Sequence, residues 1–151
     1  MSAQAEEPAG PVNNPRRVLV LDDHPADRAL MAELLRQAGY RVLEAGLAVE
    51  VGALTAAVPP ALCVIDIFLP GPSGADLTRQ LQATPAFAHI PILAVSAAGT
   101  AEIRRLALEA GATAFLEKPL DPHAFLDTVA HLLARPSARE GAPSRRGRKE
   151  A

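Results

Sequence analysis

Short apolar runs alternate along the chain with longer stretches in which apolar residues recur every three or four positions. The apolar runs predict β-strands at 17–21, 41–45, 61–65, 92–95 and 113–116. The periodic stretches predict helices at 25–38, 47–58, 75–83, 100–110 and 122–133. Because most of the strands are continuous apolar runs and alternate with helices, we expect an α/β fold: a doubly wound, five-stranded parallel sheet flanked by five helices.

Outside this alternating region the pattern disappears. Residues 1–15 and 136–151 are rich in small, polar and proline residues and show no periodicity, which is typical of disordered segments. We therefore predict one domain over residues 16–135, preceded by a disordered lead-in and followed by a disordered basic tail. A chain of 151 residues with 49% apolar residues is long enough for one such domain with a substantial core.

Charge and cysteine content narrow the class of protein. Residues 135–151 carry a net charge of +4 and residues 1–134 carry −6. This argues against a nucleic-acid partner, because a nucleic-acid-binding domain carries its positive charge on a folded face. Cys63 is the only cysteine, and no apolar leader precedes the domain, so we expect a reduced, cytoplasmic protein. The uncharged apolar stretch 51–65 is interrupted by Pro59 and Pro60, so no membrane insertion is expected.

Polar side chains follow four of the five predicted strands. Asp22 and Asp23 follow the first strand, Asp66 the third, Ser96 the fourth and Lys118 the fifth. The carboxyl ends of parallel strands meet at one edge of the sheet, and ligands bind there. We therefore expect these five side chains to lie close together.

This set of side chains suits phosphoryl transfer. Three neighbouring carboxylates repel one another, and a divalent cation relieves the repulsion. Mg²⁺ prefers hard oxygen ligands and is commonly held by carboxylates together with a phosphate. A lysine and a hydroxyl can contact the phosphate oxygens, and positioning and charge neutralisation dominate this chemistry. Asp66, in the middle of the set, is the candidate nucleophile, because a carboxylate needs no separate base.

The segments that carry these residues are similar to those of a known family. They read VLVLDD, VIDIFLPGPSG, AVSA and FLEKP. The spacings are 43 residues from Asp23 to Asp66, 30 from there to Ser96, and 22 from there to Lys118. In segments and spacing the chain resembles the receiver domain of two-component response regulators over about 120 residues. The resemblance implies the flavodoxin-like, CheY-like form of the predicted fold.

The resemblance also implies a phosphoacceptor and a metal site. Asp66 would accept a phosphoryl group from a histidine kinase or a histidine phosphotransfer protein. Asp23 and Asp66 would bind Mg²⁺ directly, and Asp22 mostly through water. The backbone carbonyl of Phe68 would complete the protein ligands. Such a chain would assist only its own phosphorylation and dephosphorylation and would not be an enzyme acting on other substrates.

The resemblance further implies a conformational switch. Ser96 would contact the phosphoryl group and Lys118 would pair with it, and the Lys118–Pro119 peptide bond would be cis. Phe115 would be the aromatic residue that rotates inward when Ser96 moves. The surface formed by the fourth helix, fifth strand and fifth helix would then change shape, signal to a downstream protein and offer a site for a homodimer.

Two departures from the family's usual pattern change what we expect. Phe68 and Ala98 are apolar at the positions that flank the phosphoacceptor, so no polar side chain there orients a water for hydrolysis. We therefore expect slow self-dephosphorylation. Phe115 lacks the hydroxyl of the more familiar tyrosine, so in an outward state it cannot donate a hydrogen bond to a partner.

Other interpretations compete with a working receiver. The chain could be a degenerate receiver that acts only as an interaction module, although the complete set of acids, hydroxyl and lysine argues against this. An aspartate-nucleophile phosphatase of the haloacid dehalogenase class needs an acid where Phe68 stands. Phe115 alone is also consistent with an ordinary core residue. Because only sixteen residues follow Arg135, we expect a stand-alone phosphoacceptor without an output domain.

Overall fold

A computed structural model describes residues 16–69 and 73–134. The strands are β1 (Arg17–Leu21), β2 (Arg41–Ala45), β3 (Leu62–Asp66), β4 (Ile92–Ser96) and β5 (Ala114–Glu117). The helices are α1 (Pro25–Gln37), α2 (Val51–Leu54), α3 (Gly74–Ala83), α4 (Ala101–Ala110) and α5 (Pro122–Ala134). The strands are all parallel and lie in the order β2-β1-β3-β4-β5. The predicted doubly wound α/β fold is confirmed.

Alternate residues of the strands face two separate hydrophobic clusters. Leu19 and Leu21 of β1 belong to one cluster, which also contains buried residues of α2, α3 and α4. Val18 and Val20 belong to the other, which contains buried residues of α1 and α5. Both sides of each central strand are therefore covered, and this explains why the strands are apolar without interruption. Cys63 lies in the first cluster, and burial raises its pKa to about 12, so its thiol stays protonated.

Local signals begin and end the helices near the expected positions. Ser73 caps α3 by accepting a hydrogen bond from the amide of Asp76 (3.0 Å), and Thr100 caps α4 in the same way. The α4 helix ends at Gly111, whose φ of 117° lies in the left-handed region that side-chain-bearing residues rarely adopt. These caps orient the loops that follow β3 and β4, where the candidate residues lie.

The second predicted helix is much shorter than expected. In place of one helix over 47–58, a 3₁₀ turn spans Ala48–Glu50 and α2 spans only Val51–Leu54. The Glu50 carboxylate accepts hydrogen bonds from the amides of Gly46 (2.7 Å) and Leu47 (3.0 Å), and these bonds stabilise the tight turn. Gly52 and β-branched neighbours have low helix propensity, so propagation stops after one turn.

The predictions for the chain ends lie outside the described residues, as does the loop at 70–72. The proposed boundaries at 15/16 and 135/136 therefore stay predictions. Within residues 16–69 and 73–134, no helix is long and apolar enough to cross a membrane.

Candidate functional site

Two adjacent strands bring three carboxylates together. Asp22 and Asp23 directly follow β1, and Asp66 is the last residue of β3, whose register with β1 pairs Leu21 with Ile65. One carboxylate oxygen of each acid lies within 4.8 Å of the other two. Asp22 and Asp66 are buried, whereas Asp23 is exposed. The site thus opens to solvent on the Asp23 side.

Lys118 follows the edge strand β5, two strands away from β3, and its side chain extends to this cluster. Its backbone amide donates to the carbonyl of Ser96 (2.8 Å), which extends the ladder between β4 and β5 by one residue. Its side-chain Nζ donates to Oδ2 of Asp22 (2.7 Å) and to Oδ2 of Asp66 (2.9 Å). The Lys118–Pro119 peptide bond is cis. One ammonium group therefore neutralises part of the charge of both buried carboxylates.

Backbone amides hold the other oxygen of each buried carboxylate. The amide of His24 donates to Oδ1 of Asp22 (2.9 Å), and the amide of Phe68 donates to Oδ1 of Asp66 (2.9 Å). Each carboxylate thus has one oxygen on a backbone amide and one on Lys118. This arrangement fixes the orientation of the Asp66 side chain.

The site shifts the pKa values of its ionisable groups. Burial raises the pKa of the Asp66 carboxyl, and hydrogen bonds from Lys118 and the Phe68 amide oppose that rise only in part. Burial acts to lower the pKa of Lys118, but hydrogen bonds to Asp22, Asp66 and Asp27 outweigh it, so the pKa of Lys118 lies above its ordinary value. Lys118 is therefore charged, while the negative charge on Asp66 is costly without a further cation.

The donor set fits Mg²⁺. The three acids present hard carboxylate oxygens within 4.8 Å of one another, and Mg²⁺ prefers such ligands together with water. Asp23 is exposed and, among the described residues, accepts no hydrogen bond from a side chain or amide, so its oxygens are free to bind a cation. Asp22, in contrast, is completely buried, and the His24 amide and Lys118 already donate to its two oxygens.

The two residues expected to form a switch, Ser96 and Phe115, lie in the strands β4 and β5 and make no hydrogen bond to these carboxylates in the described part of the chain. Ser96 is buried at the end of β4, and its Oγ accepts a hydrogen bond from the amide of Ala98 (3.0 Å). Phe115 is buried in β5, and the guanidinium of Arg104 lies 4.8 Å from the centre of its ring. That distance is within the range of a cation–π contact, which links α4 to the aromatic residue.

Two residues of the site were not anticipated from the sequence. Asp27, in the first turn of α1, accepts a hydrogen bond from Nζ of Lys118 (3.0 Å). Gly74, the first residue of α3, lies against the backbone of Asp66 and donates its amide hydrogen to the carbonyl of Ile67 (2.9 Å). For Asp27, the sequence offers only its position four residues after Asp23 as an indication that it belongs to the site. Gly74 lies where a helix is expected to begin, but nothing in the sequence indicates that it is close to Asp66.

Acids at the ends of β1 and β3 and a lysine after β5 lie together at one edge of a parallel sheet. This arrangement is typical of the receiver class of signalling domains. The chain belongs to the family described as the response regulator receiver domain, which it matches over residues 18–130. Receiver domains are signalling domains of two-component systems.

Individual proteins are also similar to this chain in sequence and structure. Over 118 residues the chain is 37% identical to the sensory/regulatory protein RpfC of Xanthomonas campestris, covering 77% of this chain and 16% of RpfC. It is 32% identical over 120 residues to the phosphate regulon transcriptional regulatory protein PhoB of Pseudomonas aeruginosa, covering 80% and 52%. A CheY-like receiver domain protein of Methanospirillum hungatei superposes with a TM-score of 0.72 at 27% identity, covering 80% and 94%. The chain thus spans about one sixth of RpfC and about half of PhoB.

Proposed function

We propose that this protein is a phosphoacceptor: Asp66 takes a phosphoryl group from a histidine kinase or a histidine phosphotransfer protein. The observation that carries this proposal is that Lys118 contacts both Asp66 and Asp22 while the open carboxylate of Asp23 lies beside them. Mg²⁺, held by Asp23 and Asp66 with the Phe68 carbonyl, would supply the positive charge that draws the donor's phosphoryl oxygens together with the Asp66 oxygens.

Phosphoryl transfer to Asp66 needs no general base. A carboxylate oxygen of Asp66 forms the new bond to phosphorus while the P–N bond to the donor imidazole breaks, and the electron pair leaves with that nitrogen. The Phe68 amide holds Oδ1 of Asp66 in place during the approach. Lys118 then pairs with a phosphoryl oxygen as negative charge increases there.

The conformational output follows from the same charge. The Ser96 oxygen accepts from the Ala98 amide, so its hydroxyl hydrogen is available to donate. Phosphoryl oxygens are strong acceptors, and we propose that Ser96 moves toward the phosphoryl group and donates its hydroxyl hydrogen to it. Movement of the loop after β4 changes the packing of Arg104 on Phe115 and so alters the α4-β5-α5 surface. Through that surface the protein would contact a downstream protein, and the same surface is the candidate for a homodimer.

Phosphate-affinity gel electrophoresis tests this function. With acetyl phosphate and Mg²⁺, the wild-type protein is expected to give a retarded band, which EDTA and Asp66→Ala should both abolish. Asp76→Ala, which removes an exposed acid that pairs with Arg79, is the matched control and should keep the band. A wild-type protein with no retarded band would instead support the degenerate interaction module, and a band that persists in Asp66→Ala would place the phosphoacceptor elsewhere.

Slow loss of the phosphoryl group is a second expectation. The Phe68 side chain is 52% exposed beside the site and carries no polar atom, so no side chain there directs a water at phosphorus. We expect the phosphorylated protein to survive for minutes or longer, and Phe68→Asn to shorten its half-life by about tenfold, since a positioned polar group accelerates proton transfer and water attack. Leu108→Asn, an equally polar change on the exposed face of α4, should leave the half-life unchanged. Loss from the wild type within seconds would contradict this expectation.

A further inference from the structure

We propose that Asp27 is a positioning residue for Lys118: it holds the ammonium group before phosphorylation and competes with the phosphoryl group for it. Asp27 accepts from Nζ of Lys118 at 3.0 Å, close to the distances of the Asp22 and Asp66 contacts. This inference rests on the proposed phosphoacceptor function, because it concerns what Lys118 must release when the phosphoryl group arrives.

The Lys118 ammonium group has no spare hydrogen-bond donor. An ammonium group has three N–H donors, and Lys118 donates to three carboxylates: Asp22, Asp27 and Asp66. The donors are therefore fully used in the unphosphorylated site. A phosphoryl oxygen can gain a hydrogen bond from Nζ only if one of these contacts lengthens or breaks.

Of the three contacts of Lys118, the one to Asp27 is the least costly to break. Asp22 is completely buried, so losing Lys118 would leave a desolvated carboxylate oxygen without a partner. Asp66 itself carries the phosphoryl group and stays in the site. The Asp27 side chain is 39% exposed, so water can replace Lys118 there at little cost. Its Oδ2 also lies 3.2 Å from Nδ1 of His24, a contact that does not depend on Lys118.

The charge of Asp27 also opposes phosphorylation. An Asp27 carboxylate beside Lys118 adds negative charge to a site that must accept a phosphoryl group. Removing that charge while keeping the shape of the side chain should leave Lys118 free to pair with the incoming group. Asp27→Asn should therefore bind a phosphoryl mimic more tightly than the wild type, although it loses an ion pair.

Beryllium fluoride, which mimics an aspartyl phosphate, provides an equilibrium readout of this competition. The experiment titrates beryllium fluoride at saturating Mg²⁺, followed by NMR shifts of the Ser96 and Ala98 amides. Saturation by Mg²⁺ is first established for each variant, because loss of an acid weakens cation binding. We expect Asp27→Asn to lower the half-saturating concentration by about threefold, a modest factor because solvent screens a partly exposed pair. Asp27→Glu, which restores the charge, should return it to the wild-type value.

Asp76→Asn is the matched control. Asp76 is the third residue of α3, as Asp27 is of α1, and each is the acid in its helix's first turn. A merely structural role for Asp27 in stabilising its helix would lower the unfolding temperature in both variants and leave beryllium fluoride binding unchanged. An unchanged or higher half-saturating concentration in Asp27→Asn would overturn this inference alone. Failure of the wild type to bind beryllium fluoride would overturn the proposed function as well.

Discussion

Gly74→Ala is expected to destabilise the protein by about 3 kcal/mol and to slow phosphorylation of Asp66 by about a hundredfold. A Cβ at this position would overlap the carbonyl oxygen of Asp66 and lie 2.8 Å from the Cα of Ile67. These are backbone atoms at the end of β3, so no side-chain rotation relieves the overlap. Either α3 or the end of β3 must move, and both movements displace Asp66, the proposed phosphoacceptor.

The same movement would lengthen the hydrogen bond from the residue 74 amide to the Ile67 carbonyl (2.9 Å), which joins α3 to the loop after Asp66. Loss of this bond would add to the destabilisation. Thermal unfolding should show a midpoint about 10 °C lower, and acetyl phosphate labelling should report the slower reaction. Gly52→Ala is the matched control: it lies in α2, a Cβ there meets no atom within 4 Å, and alanine is the better helix former. Its midpoint should be equal or slightly higher. Wild-type stability and labelling in Gly74→Ala would show that the backbone of Asp66 is not in contact with α3.

Lys118→Met is expected to lower the free energy of unfolding by about 3 kcal/mol in EDTA, because it removes the cation from two buried carboxylates. Methionine keeps most of the aliphatic stem but none of the charge. Asp22 is fully buried and would retain only the His24 amide as a partner for its carboxylate among the described residues. Mutual repulsion among Asp22, Asp23 and Asp66 would then be unopposed.

Added Mg²⁺ should return much of this stability, because a divalent cation neutralises the same acids and binds only the folded site. The stabilisation by Mg²⁺, measured as the rise in unfolding midpoint, should therefore be larger in Lys118→Met than in the wild type. Arg105→Met, which breaks an exposed ion pair with Glu109, is the matched control and should change stability by less than about 1 kcal/mol. A Lys118→Met midpoint equal to that of the wild type in EDTA would contradict the electrostatic account of the site.

The sequence by itself determined the fold class and which residues follow the strands. Apolar runs and helical periodicity are local properties, and the parallel order that they predict places Asp22, Asp23, Asp66, Ser96 and Lys118 at one edge of the sheet. The structure has those residues at the ends of β1, β3, β4 and β5. The caps of α3 and α4 are also local features, because Ser73 and Thr100 each bond to an amide within the helix that they begin.

Only the tertiary structure decided the contacts between elements far apart in the chain. The hydrogen bond from Lys118 to Asp27 joins residues 91 positions apart, and the close approach of Gly74 to Asp66 depends on the exact path of the intervening loop. The packing of Arg104 on Phe115 likewise arises from how α4 and β5 meet. Periodicity specifies which face of an element is buried, whereas a distance of 3 Å between side chains depends on the packing of the assembled core.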